Sequence, residues 1–124
     1  MVQGAWSPSR GQIVRAAVQY SDSEQTKTRF PVVVSSDAFN ERYPDVIVAF
    51  TTKASNVKHP RNYDVEVSER RSDFRATGLT VSTTVRCGRL WSIDKRKIMD
   101  VVGALPEDVL ADVRRLVRAC FVDD

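Results

Sequence analysis

The stretch VIVAFTT, residues 46–52, decides the fold class of this sequence. Five apolar residues in succession leave no polar side for water, so the stretch predicts a central β-strand rather than a half-exposed edge. Ahead of it, FPVVVS at residues 30–35 is a β-branched run with Pro31 near its start, where a strand tolerates proline. Together the two stretches predict a sheet with buried strands at its centre.

Shorter patterns extend the sheet on both sides of this centre. The other expected strands lie at residues 12–19 (QIVRAAVQ), 63–67 (YDVEV), 80–87 and 90–93. Polar or charged connections are expected at residues 20–28 and 70–78. A helical turn capped by Asp37 and ending before Pro44 is expected, as is a short helical stretch at residues 94–99.

The end of the sequence predicts an amphipathic helix from Glu107 onward. Apolar residues recur there at helical spacing on one face: Val109, Leu110, Val113, Leu116, Val117 and Cys120. Acidic residues come early and arginines late in this segment, which matches the helix dipole. Short strands followed by one terminal helix predict a mainly β fold with α, a small curved β-barrel forming a single domain over residues 1–124.

Composition narrows the function classes. The chain has 124 residues, of which 42% are hydrophobic and 28% charged, as in an ordinary globular domain. No run approaches the length of a membrane span, and the first 15 residues do not read as a signal peptide. The net charge is +3, but residues 58–97 hold ten basic and five acidic residues. That basic middle is compatible with a polyanionic partner, although a solvated charged face is the simpler explanation.

The residues needed for several kinds of catalysis are missing from the sequence. Cys87 and Cys120 stand in no metal-binding pattern and read as reduced core residues of a cytoplasmic protein. The single histidine, His59, lies in a polar loop pattern, where a solvated role is expected. No phosphate-binding glycine motif is present, so we expect neither a metal nor another cofactor.

The order of several motifs resembles that of MazF/PemK-type toxins. Residues 11–14 (GQIV) resemble the family's Gly-(Asp/Glu)-(Ile/Val)-(Val/Trp) opening. Residues 23–34 (SEQTKTRFPVVV) are similar to its Glu-Gln-x-x-x-Arg-Pro-Val-Val-Val region. Residues 36–40 (SDAFN) resemble the Asn/Asp-Ala-Phe-Asn segment that follows it.

The resemblance continues to the end of the chain. Residues 47–52 (IVAFTT) resemble the family strand that ends in Thr-Thr or Thr-Ser. Residues 85–95 (VRCGRLWSIDK) resemble its Val-Arg-Cys-Asp…Thr-Ile-Asp-Lys block, and residues 103–109 (GALPEDV) its closing motif. The resemblance implies an SH3-like barrel of the MazF/CcdB type, usually a homodimer. It further implies a cytoplasmic, sequence-specific endoribonuclease that cleaves single-stranded mRNA and that a cognate antitoxin blocks.

Four residues carry the catalysis that the resemblance implies. Arg29 matches the catalytic arginine, although Phe30 separates it from Pro31. Such enzymes use the 2′-hydroxyl of the RNA as the nucleophile, and an arginine can stabilise the charge that develops on the phosphate. Thr51 is expected to orient the phosphate or ribose, with ordinary strand propensity as the alternative explanation of a threonine there. Arg86 is expected to bind phosphate or act as the acid. Glu24 is the expected base or orienting group, with a solvated loop acid as the alternative.

One position departs from the family pattern. Gly88 stands where the Kid/PemK branch has an aspartate, so the carboxylate proposed there as the base is missing. The remaining candidates form an RNA-binding set of polar and basic residues: Gln25, Thr52, Lys53, Lys58, Arg61 and Arg89. Phe50 and Trp91 can stack on bases, although aromatic residues in strands are more often core.

Two other functions fit the same fold. The first is a toxin of the CcdB type that binds DNA gyrase and has no RNA chemistry. The second is a non-catalytic member that binds RNA or protein, which the missing aspartate at Gly88 makes plausible. Arg29 and Arg86 favour the ribonuclease over the gyrase-binding type, and the non-catalytic member stays an open alternative.

Overall fold

Seven β-strands and two α-helices form the regular structure within residues 6–19 and 25–123, the part of the chain that the computed structural model describes. The strands are β1 (Gln12–Val18), β2 (Lys27–Arg29), β3 (Val32–Val33), β4 (Asp45–Lys53), β5 (Asp64–Val67), β6 (Thr83–Asp94) and β7 (Ile98–Ala104). The helices are α1 (Asp37–Arg42) and α2 (Glu107–Ala119), and 3₁₀ turns lie at Ala54–Asn56, Phe74–Thr77 and Lys95–Lys97. None of the helices in these ranges is long and apolar enough to cross a membrane.

The strands form one antiparallel sheet in the order β2–β1–β3–β4–β6–β5, with β7 also pairing with β1. β2 and β3 both pair with β1 and are separated only by Phe30 and Pro31. The mainly β fold with a C-terminal helix is thereby confirmed. Among the described residues, however, no pairing joins β5 to the opposite edge, so the sheet is open where a closed barrel was expected.

Both faces of the central strands are buried. Val48 and Ala49 are adjacent in β4, point to opposite faces and are fully buried in different clusters. The first cluster contains Ile13, Val32, Ala49, Val67, Val85, Cys87, Leu105, Val109 and Val113. The second contains Val14, Ala16, Val18, Val33, Val46, Val48 and Ile93. This two-sided burial explains why residues 46–50 are apolar without alternation, and it confirms the predicted central strand.

Helix α2 covers the first of these clusters. Val109 and Val113 are its buried residues, and the acidic Glu107 and Asp108 lie in its first turn, as the sequence predicted. Cys120 is a correction to the expected apolar face, since it caps the helix C-terminus and is exposed. Its Sγ lies 3.6 Å from the carbonyl oxygen of Cys87, a residue that is buried as predicted.

Strand β6 is a single strand of 12 residues where two separate strands were expected. Its register on β4 jumps, because Ala49 pairs with Leu90 while Phe50 pairs with Arg86. Residues 87–89 therefore have no partner on β4 and form a bulge. A bulge bends a strand and redirects its side chains, which matters for the site described below.

β2, β7 and the cap of α1 also differ from what the sequence predicted. β2 pairs with β1 in a region where the sequence predicted an exposed loop through residue 28. β7 was not expected, and it begins inside the stretch read as helical, of which only the turn Lys95–Lys97 is helical. The cap of α1 is Ser36, whose Oγ accepts a hydrogen bond from the Phe39 N–H, rather than Asp37.

Candidate functional site

A cavity of about 390 Å³ lies where β2, β4 and β6 meet the loop before β5. Four of its lining residues are arginines, two are threonines, and none of the described lining residues is acidic. They are Arg29, Phe50, Thr51, Thr52, Asn56, Arg61, Arg86 and Arg89. Positive charge concentrated at one concave surface favours a phosphate-bearing ligand, because guanidinium groups match phosphate geometry with paired hydrogen bonds.

The Thr51 hydroxyl connects the centre of the sheet to the end of β2. Thr51 is 9% exposed, and its Oγ1 donates a hydrogen bond of 2.9 Å to the carbonyl oxygen of Phe30. Phe30 directly follows Arg29, the last residue of β2. This hydrogen bond therefore fixes the backbone next to Arg29 against a buried strand, and the predicted pair Arg29 and Thr51 lies together in the cavity.

Arg86 projects from the face of the sheet opposite helix α2. Its neighbours Val85 and Cys87 belong to the cluster under that helix, and alternation places Arg86 on the other side.

Burial raises the pKa of the Cys87 thiol to about 12, so Cys87 stays protonated at neutral pH.

Asp64 is a residue of the site that the sequence reasoning missed. It is the direct cross-strand partner of Arg86, and its Oδ2 lies 3.9 Å from a terminal guanidinium nitrogen of that arginine. The same Oδ2 accepts a 2.9 Å hydrogen bond from the backbone N–H of Arg61. The Asp64 side chain is only 5% exposed, although the alternation in residues 63–67 gave no sign that this acid is covered.

The bulge in β6 places Arg89 at the cavity wall. The Arg89 guanidinium carbon lies 5.7 Å from the centre of the Phe50 ring, within the range of a cation–π contact. On the other side, Phe50 stacks against Trp91 with ring centres 5.8 Å apart. Phe50 is 4% exposed, so Arg89 packs on a buried ring. Trp91 is 49% exposed.

Gly88, at the middle of the bulge, faces away from the arginines. The nearest atom that a Cβ at this position would meet is the Cys120 Sγ, at 4.0 Å. In a regular strand residues 86 and 88 would share a face, and the bulge breaks that relation.

A second cavity of about 360 Å³ adjoins the first and shares Arg29, Thr51, Thr52 and Asn56 with it. Its other lining residues are in part apolar, namely Phe30, Leu79 and Val81, and otherwise small, polar or charged: Thr28, Lys53, Gly78, Thr80 and Thr83. Asn56, which the sequence reasoning did not single out, donates from Nδ2 to the Thr52 hydroxyl at 3.3 Å and lies between the two cavities. An apolar wall with polar groups at its edge can receive a nucleobase.

The structure brings together most, but not all, of the predicted site residues. Arg29, Thr51, Thr52, Arg61, Arg86 and Arg89 line the arginine cavity, and Lys53 lines the second one. Gln25 and Lys58 are exposed and line neither cavity. Glu24 lies outside the described residues. His59 is exposed in its loop.

A metal site built by protein side chains usually requires three or more ligating groups close together. Within residues 6–19 and 25–123, no such group of histidine, cysteine, aspartate or glutamate side chains lies close enough together to hold a metal ion.

The fold and this site define a class of small antiparallel β protein with a C-terminal helix on one face of the sheet and an arginine-lined cavity on the other. The model of one protein family, PemK-like, MazF-like toxins of type II toxin–antitoxin systems, matches residues 9–121. The chain belongs to this family. No curated protein matches the chain in sequence.

Solved structures share the fold at low sequence identity. An endoribonuclease in complex with its cognate antitoxin, from a mycobacterial species, is 18% identical, with a TM-score of 0.70 over 92% of this chain and 94% of that one. MazF from Deinococcus radiodurans is 23% identical, with a TM-score of 0.69 over 93% and 96%. The Mycobacterium tuberculosis toxin MazF-mt6 is 16% identical, with a TM-score of 0.68 over 89% and 95%.

Proposed function

We propose that this chain is an endoribonuclease toxin that cleaves single-stranded mRNA at specific sequences without a metal ion. The observation that carries the proposal is the cavity in which Arg29, Arg61, Arg86 and Arg89 converge beside two threonines. Membership in the toxin family supports it, and so do structural neighbours that are named as endoribonucleases. Arginines supply the positive charge that the phosphate requires in the transition state.

The proposed reaction is an attack of the RNA on itself. The 2′-oxygen forms a bond to the adjacent phosphorus while the bond from phosphorus to the 5′-oxygen breaks. The 2′-hydroxyl loses its proton to solvent, and the leaving 5′-oxygen takes a proton from solvent. The products are a 2′,3′-cyclic phosphate and a 5′-hydroxyl, so no water is consumed in this step.

Five of the cavity residues have a role in this reaction. Arg29 donates to the phosphate oxygens as their charge grows, and the Thr51 hydrogen bond to Phe30 keeps the backbone beside it in place. Arg86 binds the phosphate beside the leaving oxygen. Arg61 and Arg89 hold the neighbouring phosphates, where ion pairing with the backbone provides affinity but no sequence preference. Glu24 orients the 2′-hydroxyl.

We assign the preference for single-stranded RNA to the second cavity. It adjoins the arginines and has an apolar wall that includes Phe30, Leu79 and Val81. A base enters such a cavity only when it is unpaired and unstacked, which is why sequence-specific recognition of RNA targets single strands.

We further propose two protein partners. The first is a cognate antitoxin, because a mycobacterial endoribonuclease of the same fold is found in complex with one. An extended antitoxin segment laid over the arginine cavity would block RNA. The second partner is another copy of this chain, forming a homodimer.

The test is to incubate the purified protein with a long single-stranded RNA in the presence of EDTA. We expect the RNA to be cleaved, and mass spectrometry should show fragments with cyclic phosphate and 5′-hydroxyl ends. A DNA strand of the same sequence should stay intact, because it has no 2′-hydroxyl. The Arg29→Ala variant, purified in the same way, controls for contaminating ribonucleases. Intact RNA that stays bound would instead make the chain a non-catalytic RNA-binding member, and intact RNA without binding would favour a toxin that acts on a protein.

A further inference from the structure

We propose that Asp64 is the carboxylate that positions Arg86 for the cleavage step, and this inference rests on the proposed function. Asp64 pairs with Arg86 across β5 and β6, and its Oδ2 lies 3.9 Å from the Arg86 guanidinium. It is not among the residues that line the arginine cavity. Asp64 therefore acts through Arg86 and is a positioning residue.

The surroundings of Asp64 match that role. Its side chain is 5% exposed and that of Arg86 is 18% exposed, so water screens this pair less than the exposed ion pairs of the molecule. A buried carboxylate is stable only with partners, and Asp64 has two, the Arg86 guanidinium and the Arg61 N–H. One contact at one guanidinium nitrogen leaves other Arg86 donors available for phosphate.

Asp64 also links two walls of the cavity. The backbone N–H of Arg61 donates to its Oδ2 at 2.9 Å, and the backbone N–H of Asp64 donates back to the Arg61 carbonyl at 3.0 Å. Through this reciprocal pair, the loop that carries Arg61 is held beside the strand that carries Arg86. One carboxylate thereby sets the distance between two arginines that line the same cavity.

The bulge explains why this carboxylate comes from β5 and not from the position two residues after Arg86. A side chain at Gly88 would start toward the Cys120 Sγ, on the helix side of the sheet. Arg86 projects from the opposite face, where Asp64 lies on the adjacent strand. An aspartate introduced at Gly88 is therefore not expected to take over this role.

The experiment compares Asp64→Asn with the unmutated chain in steady-state RNA cleavage. Asparagine keeps one oxygen for the Arg61 N–H, while it removes the negative charge that faces Arg86 and turns the other oxygen into an NH₂ donor. We expect kcat to fall roughly 10- to 100-fold with KM nearly unchanged, because a displaced catalytic group costs about that much. Asp100→Asn is the matched control, since Asp100 forms an exposed ion pair with Arg15 at 2.8 Å, outside both cavities.

A second comparison separates positioning from a purely structural role. In the Arg86→Ala background, Asp64→Asn should cause no further loss of kcat, because the residue on which Asp64 acts is gone. A kcat equal to that of the unmutated chain in Asp64→Asn, or the same loss in both backgrounds, overturns the proposal. Thermal unfolding is measured for every variant. If Asp64→Asn does not fold, Asp64→Ser replaces it, because the serine hydroxyl can accept the hydrogen bond from the Arg61 N–H.

The remaining outcomes are also decisive. If neither the Asn nor the Ser variant folds, Asp64 serves the stability of the sheet and the proposal is wrong. If the folded, unmutated chain leaves RNA intact, the proposed function fails and this inference fails with it. Cleavage by the unmutated chain together with an insensitive Asp64→Asn variant overturns the inference alone.

Discussion

Arg29 occupies the end of a strand that has only three residues, and its neighbour Phe30 is tied to the buried Thr51. A side chain on a rigid support loses less freedom when it binds its ligand than one on a free loop. The short strand and the Thr51 hydrogen bond together supply that support. At this scale the proposed site depends on one side chain that we expect to contact phosphate, Arg29, and on another that fixes the backbone beside it, Thr51.

Replacing Arg29 tests the first of these roles. Arg29→Ala should slow RNA cleavage by roughly 10²–10³, which is the usual loss when a donor to the transition state is removed. Arg29→Lys should also be slow, because lysine lacks the paired donors of a guanidinium. Single-turnover rates measure the effect, and circular dichroism checks the fold. Arg42→Ala, at an exposed position in α1, is the control and should cleave normally. A normal rate in Arg29→Ala would remove this residue from the mechanism.

Thr51→Val tests the second role. Valine has nearly the same shape, so the change removes the hydroxyl that donates to the Phe30 carbonyl and leaves the volume of the side chain almost unchanged. We expect a loss of about 1 kcal/mol in the free energy of unfolding, the typical net value of one hydrogen bond. Cleavage should slow as well, because the backbone next to Arg29 is released. Thr51→Ser, which keeps the hydroxyl, should restore both quantities, and urea titration with cleavage assays compares the variants. A valine variant with unchanged rate would make Thr51 a strand residue only.

The sequence predicted the arginines of this site better than its carboxylate. The positions of Arg29, Thr51 and Arg86 follow from short motifs whose order along the chain is informative. Asp64 lies in YDVEV, where alternation places an acid on a polar face, and nothing local shows that the face is covered. Its burial depends on Arg86, 22 positions later, and on the loop at Arg61.

At the scale of elements, the turn Phe74–Thr77 packs directly against the backbone of β7. A Cβ on Gly103 would lie 2.3 Å from the Thr77 carbonyl, and one on Gly78 would lie 2.1 Å from the Val102 carbonyl oxygen. Gly78 also has φ +72°, a left-handed conformation that side chains disfavour. Two glycines thus permit a close approach between the turn and the strand.

Gly103→Ala should disrupt this contact. The added methyl group has no room against backbone atoms, and forced overpacking costs about 1–3 kcal/mol. We expect the free energy of unfolding to fall by that amount in urea titrations. Gly88→Ala is the matched control, because a Cβ there meets nothing closer than 4.0 Å, and it should unfold like the unmutated chain. Equal stability of the two variants would contradict the close packing described here.

Asp94 caps the 3₁₀ turn between β6 and β7, and its carboxylate makes the stability of the fold depend on pH at low pH. Its side chain accepts hydrogen bonds from the Arg96 guanidinium, the nearest at 2.8 Å, and from the Arg96 N–H. These bonds lower the pKa of Asp94 to about 2, below the value of about 3.9 in an unfolded chain. A lowered pKa stabilises the fold above pH 4, and this contribution is lost as the pH falls toward 2.

The corresponding measurement is thermal unfolding between pH 2 and pH 5. The melting temperature of Asp94→Asn should depend less on pH in this window than that of the unmutated chain. Added salt should reduce the difference, because the pair is at the surface. Identical pH profiles of the two proteins would show that this carboxylate titrates normally in the fold.

The elements were predictable where the local sequence determines burial. β4 and α2 follow from an apolar run and from helical periodicity, and both were placed within one or two residues. β7 was missed because the residues of IMDVVGA are mostly exposed or half-buried, so the segment has no clear alternation. It forms a strand by pairing with β1, about 85 residues away along the chain. β6 was predicted as two strands because Gly88 and the bulge interrupt the alternation of apolar and polar residues along it.

At the scale of the whole molecule, an apolar depression of about 330 Å³ is left open on the surface. Trp91 and Phe121 are 49% and 74% exposed there. The other apolar residues of the depression are Val34, Ile47, Leu90 and Val117. An exposed apolar surface of this kind is common where two protein chains meet.

We expect this surface to lie in the interface of the proposed homodimer. Light scattering at micromolar concentration should report twice the 14.0 kDa of one chain. Phe121→Glu should shift the protein toward the monomer, since a charge in an apolar interface is costly. Tyr43→Glu, at a residue 48% exposed outside this depression, should leave the mass unchanged. An active sample that is monomeric in every case would contradict the dimer.

The bulge in β6 has a consequence for how such a protein can change. Residues 87–89 have no partner on β4, while the pairs on either side, Phe50 with Arg86 and Ala49 with Leu90, are complete. An exchange at Arg89 changes the cavity wall and leaves the pairing of β4 on both sides unaltered. Cys87, in contrast, is fully buried, and its N–H donates to the Tyr63 carbonyl oxygen at 2.9 Å. Position 89 is thus a natural place for diversification, and a library of side chains built there would vary ligand preference on a constant scaffold.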